Sequence, residues 1–345
     1  MYVVVNIQYR RYMLQQGRLY KAHFLLPALY LLIVLSINCY LGFISFGHEV
    51  TSLAARDAGT ALTAPILVAF ALWASYKTLD SSAVYLSFLI SHRRKKSRLR
   101  LVETIRITLL NQLLKASPYI LVLAIVVASG YVFSQGIADR ITENPKRLFL
   151  LLQAIPMWLS GLSLFTSNII VLRFIKRHLQ KHFRIRLFEM ERLMPLCKLV
   201  LHNFCLASIF LAIYSITFLF VQVPITDAVL LSVISFLIVL ILFQPILEAH
   251  NVVDKRRSLT LARINDSLKI EMSPEKRFSA TRRLVDDDNR LQFISDLLTV
   301  RTEIERAPSW PLTLPFTLKI LALILLPMLS WTGAGLVSQL IKVVL

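Results

Sequence analysis

The stretch PYILVLAIVVASGYVFSQGI, residues 118–137, contains no charged side chain and is apolar along most of its length. As an α-helix rising about 1.5 Å per residue, a stretch of this length extends about 30 Å, which is the thickness of the hydrocarbon core of a bilayer. A helix also pairs its own backbone groups, as lipid requires. The stretch therefore predicts a transmembrane helix.

Six further apolar stretches have the same character. They cover residues 23–46, 61–76, 148–171, 199–221, 227–247 and about 314–336. The second is short, and Lys77 and Asp80 follow it before apolar residues resume, so that it either ends near Tyr76 or continues to Ile90. The predicted fold is all-α, a polytopic helical membrane protein with about seven transmembrane helices.

The overall composition agrees with this fold class. Of the 345 residues, 56% are hydrophobic and 17% are charged, with a mean hydropathy of +0.63. Soluble domains carry about 25% charged residues. Disorder is excluded because it requires low hydrophobicity, and a disulfide scaffold is excluded because the chain has only 3 cysteines.

The basic residues predict the orientation, because Lys and Arg are retained on the cytoplasmic side. With seven spans, 32 of the 39 Lys and Arg residues fall in the N-terminal segment and the inner loops, and 5 fall on the opposite side. We therefore expect a cytoplasmic N-terminus and an external C-terminus. The net charge of +19 is then mainly a topological signal facing lipid headgroups, and nucleic acid is not indicated as a partner.

The predicted organisation has three parts. Residues 1–248 form a transmembrane bundle with basic cytoplasmic loops, residues 249–310 a cytoplasmic helical hairpin, and residues 311–345 the last transmembrane helix. Within the hairpin, Ser273 and Pro274 suit the start of a second helix that runs to Arg306. Apolar residues at helical spacing there are candidate contacts with a partner or a second subunit: Leu261, Ile264, Leu268, Leu284, Leu291, Ile294 and Leu298.

Catalytic and metal-binding motifs are absent from the sequence. There is no P-loop, dinucleotide glycine fingerprint, HExxH or GxSxG pattern. His178 and His182 could share a helix face, and residues 286–288 are three consecutive aspartates, but cations surround both groups. We therefore interpret them as solvated side chains and expect no enzymatic activity, no cofactor and no bound metal.

Polar residues within the spans are the candidate functional positions, because they are costly in lipid and usually face the bundle or water. In the fourth span these are Gln153, Ser160, Ser163 and Ser167, which share one helical face, and in the last span they are Thr332, Ser338 and Gln339. They either pack against other helices or line a water-filled path. Trp310 and Trp331 are predicted interfacial anchors.

The C-terminal segment Arg290–Ile341 resembles a set of uncharacterised bacterial inner-membrane proteins. The shared features are Pro308-Ser309-Trp310-Pro311 and a P-x-x-S-W-x-G pattern that begins at Pro327. The family usually has an acidic residue where this chain has Ser309, and Phe-Asp at residues 312–313, where it has Leu-Thr. The resemblance implies a location in a bacterial inner membrane and carries no activity.

The architecture is also similar to that of tetrameric ion channels of the insect chemoreceptor type, although no signature motif was matched. That likeness implies a pore along the last helix and subunit contacts through the cytoplasmic helices. We expect an oligomeric channel or pore-forming effector, for example in antiviral defence, triggered by a cytoplasmic protein or a small molecule. A non-conducting scaffold that binds a partner through residues 249–306 is the alternative, and a transporter is the third.

Overall fold

The computed structural model describes residues 24–44, 52–90, 95–134, 145–182, 193–218, 225–272, 288–306, 317–325 and 329. These residues are almost entirely helical, as predicted. We number the helices in chain order: α1 Phe24–Tyr40, α2 Ser52–Ile90, α3 Lys95–Ser134, α4 Arg147–His182, α5 Met194–Tyr214, α6 Ile225–Met272, α7 Asp288–Arg306 and α8, residues 317–325. A short 3₁₀ helix, Ser215–Phe218, extends α5.

Five of the described helices, α2 to α6, are long and apolar enough to cross a membrane, and α1 is a shorter apolar helix. An all-helical multi-pass membrane architecture is therefore confirmed, whereas the total of seven spans and the sidedness stay predictions. The second predicted span belongs to a helix that continues to Ile90. The predicted domain boundary after residue 248 falls inside α6, which is unbroken from Ile225 to Met272.

Ion pairs show how the long helices run. Arg147 Nε lies 2.9 Å from Asp57 Oδ2, so α2 and α4 begin at the same end of the bundle. Arg106, early in α3, pairs with Asp80, late in α2, so α2 and α3 are antiparallel. We call these the Asp57 end and the Asp80 end. The two aspartates are 23 positions apart, which corresponds to about 35 Å of helix, close to the thickness of a bilayer's hydrocarbon core.

Helix α2 lies at the centre of the bundle and packs against α3, α4 and α5. Small side chains allow this close packing, because they let neighbouring backbones approach. Ala61, Ala71, Ala74 and Ala83 of α2 are all completely buried. The helix also buries hydroxyls, such as that of Ser75, which donates to the Ala71 carbonyl at 2.7 Å. Polar groups thus face protein and not lipid.

Beyond the Asp80 end, the helices continue into a second layer. Helix α6 extends 24 residues past Glu248, which is about 36 Å at 1.5 Å per residue. Helix α7 packs on this extension through a small apolar core that contains Ile264, Leu268 and Ile304. Arg257 also donates a hydrogen bond to the backbone carbonyl of Glu305. The described parts of the two helices therefore pack against each other, and the predicted hairpin of residues 249–310 stays a prediction.

Helix α8 lies against α5 and α6 on the side of the bundle. Its Ile320 packs with Val200 and Ile246, and the Ser208 hydroxyl of α5 donates to the Leu323 carbonyl at 2.9 Å. The opposite side of this segment is apolar and exposed at Leu318, Leu321, Leu325 and Leu329. One face of α8 is therefore fixed to the bundle, and the other has no covering among the described residues.

Candidate functional site

The predicted polar face of α4 points into the bundle. Gln153 is buried, and its amide nitrogen donates to Asn38 Oδ1 of α1 at 2.8 Å. Asn38 in turn donates to the Ala61 carbonyl of α2 at 2.7 Å. These two bonds connect α1, α2 and α4 in the interior. Gln153 therefore has a structural role in joining three helices.

The three serines of the same face bond to their own helix. The hydroxyls of Ser160, Ser163 and Ser167 donate to backbone carbonyls three or four residues earlier, at 2.7–3.0 Å. Such bonds satisfy a hydroxyl without water. This geometry favours packing over a water-lined path inside one subunit. Thr332, Ser338, Gln339, Trp310 and Trp331 lie outside the described residues.

A larger feature lies on another side of α4. A cavity of about 260 Å³ opens between α4, α5 and α6. Apolar and aromatic side chains form most of its wall, including Phe165, Phe210, Leu237 and Ile238. An engineered apolar cavity of about 150 Å³ is large enough to bind benzene. This cavity could accordingly hold a molecule of roughly ten carbon atoms.

Two residues in the wall of this cavity, Asn168 and Trp158, carry a buried polar atom without a hydrogen-bond partner among the described residues. Asn168 of α4 is 8% exposed, and its Nδ2 donates to the Leu164 carbonyl at 2.9 Å. Its Oδ1 is buried without a hydrogen-bond partner among the described residues. A buried unpaired acceptor costs about 1–3 kcal/mol. A ligand that donates a hydrogen bond would remove this cost.

A second, smaller cavity lies toward the Asp57 end and adjoins the first. It has a volume of about 90 Å³ and shares Tyr131, Met157 and Tyr214 with the larger one. Its wall includes Asp57 and Arg147, which form the ion pair of that end. The two cavities together extend from the charged end of the bundle toward its middle.

Sequence reasoning missed Asn168, although a signal was present. The candidate residues of α4 all share one helical face with Gln153. Asn168 follows Ser167 directly and therefore projects about 100° away from that face. A buried amide in an apolar span is costly, so Asn168 was a further candidate position on a second face of α4.

The candidate contact residues of the hairpin divide into two groups. Ile264 and Leu268 are buried between α6 and α7, and Leu261 and Ile294 pack against them. Leu291 and Leu298 are each 45% exposed, and Leu284 lies outside the described residues. Of the candidates that the structure describes, only Leu291 and Leu298 are placed to meet another molecule without separating α6 from α7.

Metal-binding geometry is not found in the part of the chain that the structure describes, where no three His, Cys, Asp or Glu side chains are grouped to hold an ion. His178 instead stacks on Phe174, with ring centroids 4.3 Å apart. The side chain of His182 and the residues Asp286 and Asp287 lie outside the described part.

The fold and the cavities define a class of protein: a multi-pass helical membrane protein with a helical layer beyond one end and an apolar cavity between its spanning helices. Comparisons with protein-family models, curated proteins and solved structures find no match to this chain.

Proposed function

We propose that this chain is a subunit of an oligomeric membrane channel or pore, opened by a small molecule that binds in the cavity between α4, α5 and α6. The observation that carries the proposal is that cavity with its unpaired Asn168 oxygen. Binding sites for small molecules are mostly apolar cavities with a few polar groups. The cavity has this character.

The packing within one copy of the chain supports a pore that lies between subunits. The serines of α4 are bonded within the helix, and Gln153 is bonded to Asn38. These groups do not need water, so we place the pore between subunits. The exposed apolar face of α8 supports this arrangement, because an uncovered helix edge can meet lipid or another copy.

The helices also supply a connection from the cavity to the pore. Residues 234–242 of α6 contribute to the cavity wall, and residues 261–268 of the same helix hold α7. Only ten residues separate the end of α7 from the start of α8. A ligand that shifts α6 would therefore move the hairpin and, through it, the last helix. In a bacterial inner membrane, with a cytoplasmic N-terminus, such a pore would act as a permeabilising effector.

Conductance in planar bilayers tests the proposal. The purified full chain should form an oligomer on size-exclusion chromatography and conduct ions when medium-chain apolar compounds are added. Gln339→Ala in the last span should change the single-channel conductance, whereas the matched variant Ser163→Ala, inside the bundle, should not. A monomeric protein that is silent with every compound tested contradicts the channel hypothesis.

The second candidate is a non-conducting scaffold that binds a partner through the hairpin. The exposed apolar residues of α7, among them Leu291, Phe293 and Leu298, favour it. Leu291→Glu with Leu298→Glu should then abolish recovery of the partner and leave thermal stability unchanged. In the channel hypothesis, the same double variant weakens the oligomer. A transporter is the third candidate, and no described feature favours it.

A further inference from the structure

The position of Asn168 in the cavity restricts the chemistry of its ligand. We propose that the cavity binds an elongated aliphatic molecule of about ten carbons that carries a hydrogen-bond donor, such as a primary alcohol, at the end nearer the Asp80 end. This inference rests on the proposed ligand site and extends it by naming the class of ligand.

The length of the molecule follows from the cavity wall. Trp158 and Asn168 of α4 both line the cavity and are ten residues apart, which is about 15 Å along a helix. On α6, the wall extends from Ile234 to Leu242, about 12 Å. The cavity is thus much longer than it is wide for its volume of about 260 Å³. An extended chain fits this shape better than a compact ring.

The need for a donor follows from the amide geometry. The Nδ2 group of Asn168 is occupied by the Leu164 carbonyl, whereas its buried Oδ1 has no hydrogen-bond partner among the described residues. A saturated lipid tail supplies no donor and would leave this oxygen unpaired. A hydroxyl or amine at the end of the chain would pair with it. The unpaired acceptor therefore favours an amphiphile over an acyl chain of the bilayer.

The other end of the cavity offers a donor. The indole Nε1 of Trp158 is buried and has no partner among the described residues. Its ring packs edge-on against Tyr131, with centroids 6.2 Å apart. A weak acceptor at the far end of the ligand would be tolerated there. Trp158 is also a fluorophore in the cavity wall, which makes binding measurable directly.

Two brominated probes of equal chain length test the inference. Bromine quenches tryptophan on contact, and 10-bromo-1-decanol differs from 1-bromodecane by one hydroxyl group. The full chain with Trp158 as its only tryptophan, after Trp73→Phe, Trp310→Phe and Trp331→Phe, is reconstituted in vesicles. The decanol probe should quench saturably and half-saturate at about tenfold lower membrane concentration than the alkane, because only the alcohol pairs the buried acceptor.

Matched variants separate specific binding from partitioning into lipid. In a chain that keeps only Trp73, which does not line the cavity, quenching should rise without saturation. Asn168→Leu should remove the tenfold preference for the alcohol. Asn203 also has a buried Oδ1 without a partner among the described residues, but it does not line this cavity, so Asn203→Leu should retain the preference. Emission maxima and thermal unfolding of each variant report whether it is folded.

The outcomes distinguish the inference from the proposed site. Equal saturable quenching by the two probes overturns the requirement for a donor and leaves the cavity as a binding site. Loss of the preference in Asn203→Leu as well as in Asn168→Leu overturns the role of Asn168, because both residues line a small void of about 10 Å³. If neither probe quenches Trp158 more than Trp73, the ligand site itself is refuted.

Discussion

Replacing Gly59 by alanine tests the closest helix contact in the bundle. An added Cβ would lie 2.5 Å from the backbone carbonyl oxygen of Thr217, about 0.9 Å inside the 3.4 Å at which ordinary contact begins. The obstacle is backbone, so no side-chain rotation relieves it. The Thr63 hydroxyl, 2.8 Å from that of Thr217, joins the same two elements. Gly59→Ala should therefore push α2 away from the 3₁₀ helix.

The expected loss of stability in Gly59→Ala can be compared with that of a matched control variant, Gly130→Ala. Overpacking costs about 1–3 kcal/mol, and loss of one hydrogen bond adds about 1 kcal/mol. Alanine in a helix also gains about 0.5–1 kcal/mol over glycine. Gly130→Ala in α3 has the same gain and no atom within 4 Å of the new Cβ. The two variants should thus differ in stability by about 2–4 kcal/mol, with Gly59→Ala the less stable.

The assay uses the reactivity of one buried thiol. Cys197 is 1% exposed, so a thiol-reactive dye reaches it only on unfolding. With Cys39→Ser and Cys205→Ala, Cys197 is the only cysteine. At about 2–4 °C per kcal/mol for a chain of this size, Gly59→Ala should melt about 5–15 °C below Gly130→Ala in detergent. Midpoints within 2 °C of each other would show that α2 does not approach Thr217 closely and would refute the reasoning.

Three further predictions concern charge, the hairpin and topology. Asp80→Asn should lower stability by about 1.5–3 kcal/mol, because it removes one of the two carboxylates that pair with the partly buried Arg106 and leaves it with Glu103 at 3.3 Å. The exchange Asp80→Arg with Arg106→Asp should recover part of the loss, and a further loss contradicts the pairing. Ile304→Ala should destabilise the packing of α7 on α6 by about 2–4 kcal/mol. The control Leu298→Ala, exposed on the same helix, should change the unfolding midpoint by less than about 2 °C. Equal effects of the two variants would contradict the α6–α7 core. Lys146→Cys, in a cysteine-free chain, should react with an impermeant maleimide only from the side opposite an N-terminal tag; reaction from the same side would contradict the predicted topology.

The class of fold was predictable because hydropathy is local. Transfer of about 20 residues into lipid depends on their own composition, so stretches such as residues 118–137 identify spanning helices without knowledge of their neighbours. The contact between α6 and α7 also follows a local pattern. Helical spacing placed Leu261, Ile264 and Leu268 on one face, and the structure packs that face against α7.

The importance of α2 was not predictable in the same way. Its sequence gave the weakest span, interrupted by Lys77 and Asp80. In the structure α2 is the central helix, and the apolar part of its span is 61% buried, against 22% for α3 and α4. A helix enclosed by other helices does not need a lipid-soluble surface. Hydropathy therefore gives a weak transmembrane signal for α2, although α2 contributes most to the interior of the bundle.

The candidate site was predicted only in part. The sequence selected α4 and its polar residues, and the structure shows that this face is used for packing with α1 and α2. The cavity lies on another face of the same helix. Its wall joins side chains from α2 to α6, such as Leu67, Tyr131 and Ile241, which are far apart along the chain. No local sequence pattern indicates the empty space between these side chains.

The sequence by itself determined that this chain is helical, that it enters a membrane several times and that its basic residues outnumber its acidic ones, because each of these depends on composition alone. Only the tertiary structure decided which polar groups are paired and which are not. Gln153 is hydrogen-bonded to Asn38, which lies 115 residues away in the sequence. The Asn168 oxygen, in contrast, has no hydrogen-bond partner among the described residues. The difference depends on distances between helices, and those distances are set when the whole bundle packs.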